Sequence, residues 1–383
     1  MRKILCLAMI VASLAWSCSG QKEKGESAVK VSFSVRSVAI DSSAKMYVTG
    51  SGEELGFWSP DKVAMEYVGN NTWRTELAFG PKTPIEYKFT LGSWEREAAG
   101  ANGLPLENFN LLVNADTAVS HEVHFWKDGK NRPQTGQITG TVKYFRQLEA
   151  EGILPRDVIV RLPEGYDEQP NRRYPVLYMH DGQNIFDPKT SSFGVDWQVD
   201  ETVDSLVRRS LIEPVIVVGA YNTTNRTAEY TPGETGSAYM KFMAETLKPL
   251  IDKEFRTKPE REHTIVGGSS AGGIASFMLL WEYPEVYSGA ICMSPAFKIQ
   301  HIDYVKNVKA YKGEKRDFKI YIDNGGIGLE LELQPGIDEM VEALEAQGYK
   351  QGEDLYYILD KNAKHFESAW AERMPEALVF FYK

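Results

Sequence analysis

The run His263-Thr264-Ile265-Val266-Gly267-Gly268-Ser269-Ser270-Ala271-Gly272-Gly273 reads as a β-branched strand passing directly into a turn of small residues, ahead of a helix beginning near Ile274. Gly268, Ser270 and Gly272 form a G-x-S-x-G pattern, and the strand-to-helix setting gives that short pattern its weight. A serine there occupies a sharp turn that only small neighbours permit, with its hydroxyl exposed above a sheet and a helix N-terminus beneath it. Ser270 is therefore the candidate nucleophile. A phosphate-binding loop would end in G-K-[ST], which this stretch lacks.

On both sides of the turn, apolar runs alternate with longer amphipathic stretches. Asp157–Leu162, Pro175–Met179, Pro214–Gly219, His263–Gly267, Gly289–Met293, Lys319–Asp323 and Leu355–Leu359 read as strands. Ala238–Glu254, Ile274–Glu282 and Pro335–Gly348 read as helices, so residues 141–383 are expected to form a mostly parallel sheet with helices on both faces. Residues 31–128 have another texture: short alternating strands broken at Gly50-Ser51-Gly52, Gly69-Asn70-Asn71, Gly80-Pro81 and Gly100–Gly103, the spacing of a β-sandwich. Residues 129–140, GKNRPQTGQITG, have linker composition.

A serine hydroxyl needs a base to take its proton. Of six histidines, only His301 and His365 follow Ser270, as the order serine, acid, histidine requires. His365 comes after the last expected strand and the loop Asp360–Lys364; His301 lies in a polar stretch without a strand ahead of it and reads as a surface residue. Asp323, Glu330 and Glu332 follow the strand Lys319–Asp323. Glu330 is preferred because it comes after Gly325, Gly326 and Gly328 and has the reach to return toward His365; Asp323 is expected to hold the turn. Stabilising an oxyanion takes two backbone donors, Ala271 and either Gly182 or Gln183 in the loop His180-Asp181-Gly182-Gln183-Asn184. The plainer role for His180 and Asp181 is to cap that turn.

The 383 residues suggest two or three domains, and 43% hydrophobic content supports real cores. A net charge of −10 speaks against nucleic acid as a partner. Three cysteines make no disulfide framework. Arg2 and Lys3, an apolar run Ile4–Ala15, then Leu14-Ala15-Trp16-Ser17-Cys18 read as an export signal over residues 1–18 ending in a bacterial lipobox, the run being too short for a membrane span. The expectation is a chain exported to the cell envelope, in the periplasm or at the outer-membrane surface, and held to a membrane only by acyl groups on Cys18. Residues 19–30 read as a polar tether, and Cys292 as a buried strand residue.

The second domain resembles the esterase D family of α/β-hydrolases, which includes enterochelin esterases and family 1 carbohydrate esterases. The resemblance rests on Tyr178–Asp187, on Asn222 with Arg226 and Glu229–Pro232, on Gly268–Gly273 and on His365–Trp370. It implies ester hydrolysis by a Ser-His-acid triad through an acyl-enzyme, with no metal and no cofactor. Where relatives place a carboxylate after a strand-end Gly-Thr, this chain has Gly325-Gly326-Ile327-Gly328.

The first domain is similar to the immunoglobulin-like sandwiches of starch-binding modules, families 20 and 48. Met46–Gly50, Leu55–Pro60, Asn71–Trp73 and Glu86–Thr90 leading to Trp94-Glu95 carry that likeness. It implies that Trp58 and Trp94 are the sugar-stacking rings and that Trp73 is a core residue. The asparagine-arginine pair that follows the second tryptophan in such modules is replaced by Glu107-Asn108-Phe109-Asn110.

The expected substrate is an acyl ester of a carbohydrate, feruloyl or acetyl on a plant-type glycan. Two other readings stand beside it: hydrolysis of siderophore lactones, and a glycan-binding surface lipoprotein with an inactive hydrolase domain.

Overall fold

The computed structural model describes residues 28–99, 105–127 and 138–383. The export signal, Cys18 and the tether up to Ser27 lie outside the described residues, as do residue 128 and 129–137 of the expected linker.

Seven strands of the first domain form one hydrogen-bonded sheet in the order Phe109–Val113, Thr83–Thr90, Met46–Gly50, Val63–Gly69, Thr72–Phe79, Val29–Arg36, Thr117–Glu122. Neighbours are antiparallel except Val29–Arg36 with Thr117–Glu122. The sheet folds back on itself: Phe33 and Tyr87, from strands four places apart in that order, meet edge to face at 4.9 Å. Val31, Phe33 and Val35, alternate residues of one strand, are fully buried with Trp73 and Phe89, as a period of two requires of a sandwich.

The second domain holds eight strands in the order Thr141–Ala150, Ile153–Leu162, Ile216–Ala220, Val176–Met179, Thr264–Ser269, Gly289–Met293, Lys319–Ile327, Leu355–Lys364. The first two run antiparallel to their neighbours and the rest are parallel. Helices cover both faces, so alternate strand residues serve two cores: Val176 and Tyr178 pack on one side, Leu177 and Met179 on the other. This is an α/β-hydrolase fold preceded by a β-sandwich. Among the described residues no helix is long and apolar enough to cross a membrane. Cys292 is buried.

Three local expectations fail. The strand expected to end at Asp323 runs on through Gly325 and Gly326 to Ile327, and its neighbour takes in Asp360–Lys364, expected as a loop. Those glycines serve close strand approach rather than flexibility: a Cβ on Gly325 would lie 2.5 Å from Ala363 O, and one on Gly326 2.5 Å from Lys361 O. The following helix begins at Glu330, not near Pro335, which sits inside it.

Candidate active site

Ser270 stands between the strand Thr264–Ser269 and the helix Ala271–Glu282 at φ 56°, ψ −121°. Such a conformation costs a non-glycine residue roughly 1–3 kcal/mol and survives only where neighbours enforce it. Ser270 N–H donates to Met293 O at 2.9 Å, and Ser270 O accepts from Ala296 N–H at 3.1 Å. The flanking glycines allow close packing. A Cβ on Gly268 would lie 2.8 Å from Gly272 O, one on Gly273 3.0 Å from Pro295 Cα, and one on Gly272 3.3 Å from His180 Cβ.

Ala271 is the first helical residue, so its N–H is among those a helix leaves without an internal partner. Beside it, the strand Val176–Met179 leads through His180 and Asp181 into the 3-10 turn Gly182–Asn184. Gly182 presses on the next strand, where a Cβ would lie 2.4 Å from Gly219 O. Gln183 Oε1 accepts Asn222 N–H at 3.1 Å. Asp181, at φ 55°, receives Arg226 Nε and Nη2 at 2.7 Å each and Asn222 Nδ2 at 2.6 Å. Burial opposes the Asp181 charge, but Arg226 and Asn222 outweigh it and hold the carboxyl below its ordinary range. Gly182, Gln183 and Ala271 thus lie at the C-terminal ends of two adjacent strands, on a braced turn. His180 does not face solvent: it is buried with Nδ1 2.7 Å from the Tyr239 hydroxyl, and burial pushes its pKa down to about 3, so it stays neutral.

His365 follows the edge strand Leu355–Lys364, its side chain 10% exposed, with Nδ1 3.2 Å from Glu330 Oε2. Glu330 is fully buried, and its Oε1 accepts the Ser294 hydroxyl at 2.6 Å. Burial opposes the His365 cation; Glu330, Glu86 and Glu367 together outweigh it and raise the imidazole pKa. The Trp370 ring meets the imidazole edge to face at 5.0 Å and donates its N–H to Ser294 Oγ at 3.0 Å. A carboxylate on one imidazole nitrogen fixes the tautomer that leaves the other able to take a serine proton.

The other acid candidates go elsewhere. Asp323 is buried within its strand, ion-paired with Arg373, and its backbone O accepts Ser294 N–H at 2.9 Å. Glu332 borders a cavity of about 530 Å³ between the domains, lined also by Phe57, Ile85, Gln300 and His301. Burial and the nearby Glu86 push it up to about 7. His301 is exposed, edge-on to Phe57 at 6.4 Å. Asp196, Asp200 and Glu201 bring carboxylate oxygens within 4.8 Å of one another, but burial and Asp200 push Glu201 up to about 8, and Asp200 is engaged by Thr139 N–H at 2.6 Å. Glu201 therefore favours its protonated form at neutral pH.

Trp58 and Trp94 are half-buried, and Trp73 is a core residue donating to Ala44 O at 3.1 Å. The segment replacing the modules' asparagine-arginine pair meets the hydrolase. Lys364 Nζ donates to Glu107 Oε2 at 2.7 Å, and Asn108 Nδ2 donates at 2.9 Å to Glu86, whose other oxygen accepts Leu329 N–H at 2.7 Å. Glu86, Ser294 and Arg373 were not legible as site residues; the one signal was the burial of charge that E-Y-K implies in an otherwise apolar strand.

The profile of the family described as "Putative esterase" matches residues 154–381, and that of the starch binding domain matches residues 28–143. An endo-1,4-beta-xylanase/feruloyl esterase of Xylanibacter ruminicola is 30% identical over 195 residues, 50% of this chain and 25% of that protein. The chain thus spans about a quarter of that relative's length. A solved ferulic acid esterase superposes with TM-score 0.52 at 20% identity, covering 63% of this chain and 98% of that one. The enterobactin esterase of Shigella flexneri, solved with enterobactin, superposes with TM-score 0.53 at 13% identity over 94% of both chains. At these identities the solved structures speak to fold alone.

Proposed function

The chain belongs to the esterase family whose profile spans its second domain, and from that premise we propose that it is a serine carboxylic-ester hydrolase acting on acyl esters of carbohydrates. Ser270 attacks the ester carbonyl, His365 takes the serine proton and returns it to the leaving alcohol, and Glu330 orients and stabilises the imidazolium. Ala271 N–H, with Gly182 or Gln183, receives the oxyanion. The acyl-enzyme is then hydrolysed by water through the same base.

The reading is carried by the 3.2 Å approach of Glu330 Oε2 to His365 Nδ1 at the strand ends that also bear the strained Ser270. The carbohydrate part is supported by the starch-binding-type sandwich and by a relative named for feruloyl esterase beside a xylanase. Anchoring through Cys18 at a bacterial cell envelope is proposed on the lipobox alone. A p-nitrophenyl acyl ester tests the chemistry: Ser270→Ala abolishes turnover and fluorophosphonate labelling, and retained turnover overturns the mechanism. Release of ferulate or acetate from xylan tests the substrate class.

A second reading, siderophore lactone hydrolysis, draws on the sandwich-plus-hydrolase arrangement shared with the enterobactin esterase over 94% of the chain. Cleavage of enterobactin without release of acyl groups from xylan selects it.

A further inference from the structure

We infer that Glu86 of the sandwich is a positioning residue of the esterase triad, fixing the helix start that carries Glu330 and making the two domains one catalytic unit. The inference rests on the serine-esterase reading above.

Glu86 is 3% exposed in the middle of the strand Thr83–Thr90. A carboxylate taken out of water at such a place requires strong partners, and among the described residues no lysine or arginine pairs with it. Its partners are amides: Leu329 N–H at 2.7 Å on Oε1 and Asn108 Nδ2 at 2.9 Å on Oε2. Leu329 is the N-cap of the 17-residue helix Glu330–Ala346, so the sandwich lays an anion on the positive end of a hydrolase helix. The fit is close. Gly328, at φ 69°, has no room for a side chain, since a Cβ would lie 2.1 Å from Glu86 Oε1 and 2.3 Å from Asn110 Oδ1.

One residue beyond Leu329 stands Glu330, held on its other side by Ser294 and facing His365. A shift at Leu329 therefore moves the carboxylate that orients the imidazole. Docking is reinforced at two flanking points, where Gln300 Nε2 donates to Ser51 O at 2.6 Å and Lys364 pairs with Glu107. The Lys364–Glu107 pair is exposed and involves neither Glu86 nor Leu329, so it separates general docking from the specific action of Glu86. The charge acts as well: Glu86 is among the anions that raise the His365 pKa, with Glu330 and Glu367.

The test is steady-state kinetics of the full chain on p-nitrophenyl acetate. Glu86→Ala lowers kcat about tenfold or more with KM changed less than about twofold, because a misplaced catalytic group slows the reaction without loosening binding. Glu86→Gln keeps an oxygen for Leu329 N–H and recovers kcat to within about threefold, with the acidic limb of kcat/KM moved to lower pH because an anion facing His365 is gone. Glu107→Gln, at the exposed docking pair, leaves both parameters unchanged. Gly328→Ala disturbs the same contact from the hydrolase side and lowers kcat with the sandwich sequence intact, which covers a Glu86→Ala chain that does not fold. Wild-type kcat in either Glu86→Ala or Gly328→Ala, in an assay that Ser270→Ala abolishes, overturns the inference alone. Turnover surviving Ser270→Ala overturns the serine reading beneath it.

Discussion

Arg373 Nη2 donates to Asp323 Oδ1 at 3.1 Å while its Nε lies 3.0 Å from Oδ2, so the carboxylate inside the strand Lys319–Ile327 is occupied and the one seven residues later faces the histidine. The two acids thereby have separable roles. Glu330→Gln removes the charge behind the imidazole and lowers kcat by on the order of 10³- to 10⁴-fold with little loss of stability, a consequence of wrong tautomer and lost cation stabilisation. Asp323→Asn leaves Arg373 charged and largely unpaired, its side chain only 7% exposed, and costs roughly 3–5 kcal/mol of stability. Denaturant melts and kcat measured on both variants check this; an Asp323→Asn enzyme as slow as Glu330→Gln would reverse the assignment.

His365 is raised above its ordinary value because the anions around it prevail over burial, and the sign of each anion's effect is fixed. Glu330 faces it from the helix that follows Leu329, Glu86 from the sandwich, and Glu367 from its own C-terminal helix. Catalysis needs the imidazole neutral, so the acidic limb of kcat/KM lies above about 6.5, the ordinary histidine value. Glu367 is itself pushed up to about 7 by burial, so it carries charge mainly above neutrality. Glu367→Gln withdraws an anion that favours the imidazolium, and the limb moves to lower pH with the plateau rate retained. A pH–rate profile of the variant that superposes on wild type, or moves to higher pH, contradicts the electrostatic account.

The glycines of the serine turn differ in what they abut, and that orders the cost of filling them. A Cβ on Gly268 meets backbone, Gly272 O at 2.8 Å and Gly272 C at 2.9 Å. One on Gly272 meets His180 Cβ at 3.3 Å and Asp181 Oδ2 at 3.4 Å. Backbone cannot step aside without moving Ser270, so Gly268→Ala destabilises by roughly 1–3 kcal/mol and loses activity. Gly272→Ala costs less stability, and its damage falls on kcat because it crowds the oxyanion turn. Thermal melts and kcat of the two variants decide; equal melts would show that the turn relaxes.

Contacts local in the chain leave a mark on the sequence, and contacts made across hundreds of residues do not. Ser270 was legible because its turn, strand and helix are contiguous and the small residues have one steric reason. His365 was legible from chain order. The acid was harder: Glu330 was preferred for reach across flexible glycines, yet Gly325 and Gly326 are strand residues packed against Ala363 O and Lys361 O. Its neighbour Asp323 is withdrawn by Arg373, 50 residues on. Glu86 lies 243 residues from its partner Leu329, and no periodicity within a strand reports a contact made across domains.

Trp58 and Trp94 pose the remaining question, because the segment that completes a starch-binding site in similar modules here meets the hydrolase through Glu107 and Asn110, with Asn108 holding Glu86. Trp58 sits in a turn at φ 60°, its N–H donating to Gly50 O at 2.8 Å, and Trp94 opens the short helix Trp94–Arg96; both rings are half-buried, leaving surface for a pyranose face. If they form the glycan platform, the wild-type chain is retarded in a native gel cast with soluble polysaccharide, and Trp58→Ala or Trp94→Ala each weakens retardation by about tenfold or more in apparent affinity, as removal of a central aromatic anchor does. Turnover of p-nitrophenyl acetate stays at the wild-type rate in both, since among the described residues neither ring is hydrogen-bonded to Ser270, His365 or Glu330 or stacked on the His365 imidazole. A retarded wild type with both variants equally retarded removes these two rings from the binding surface.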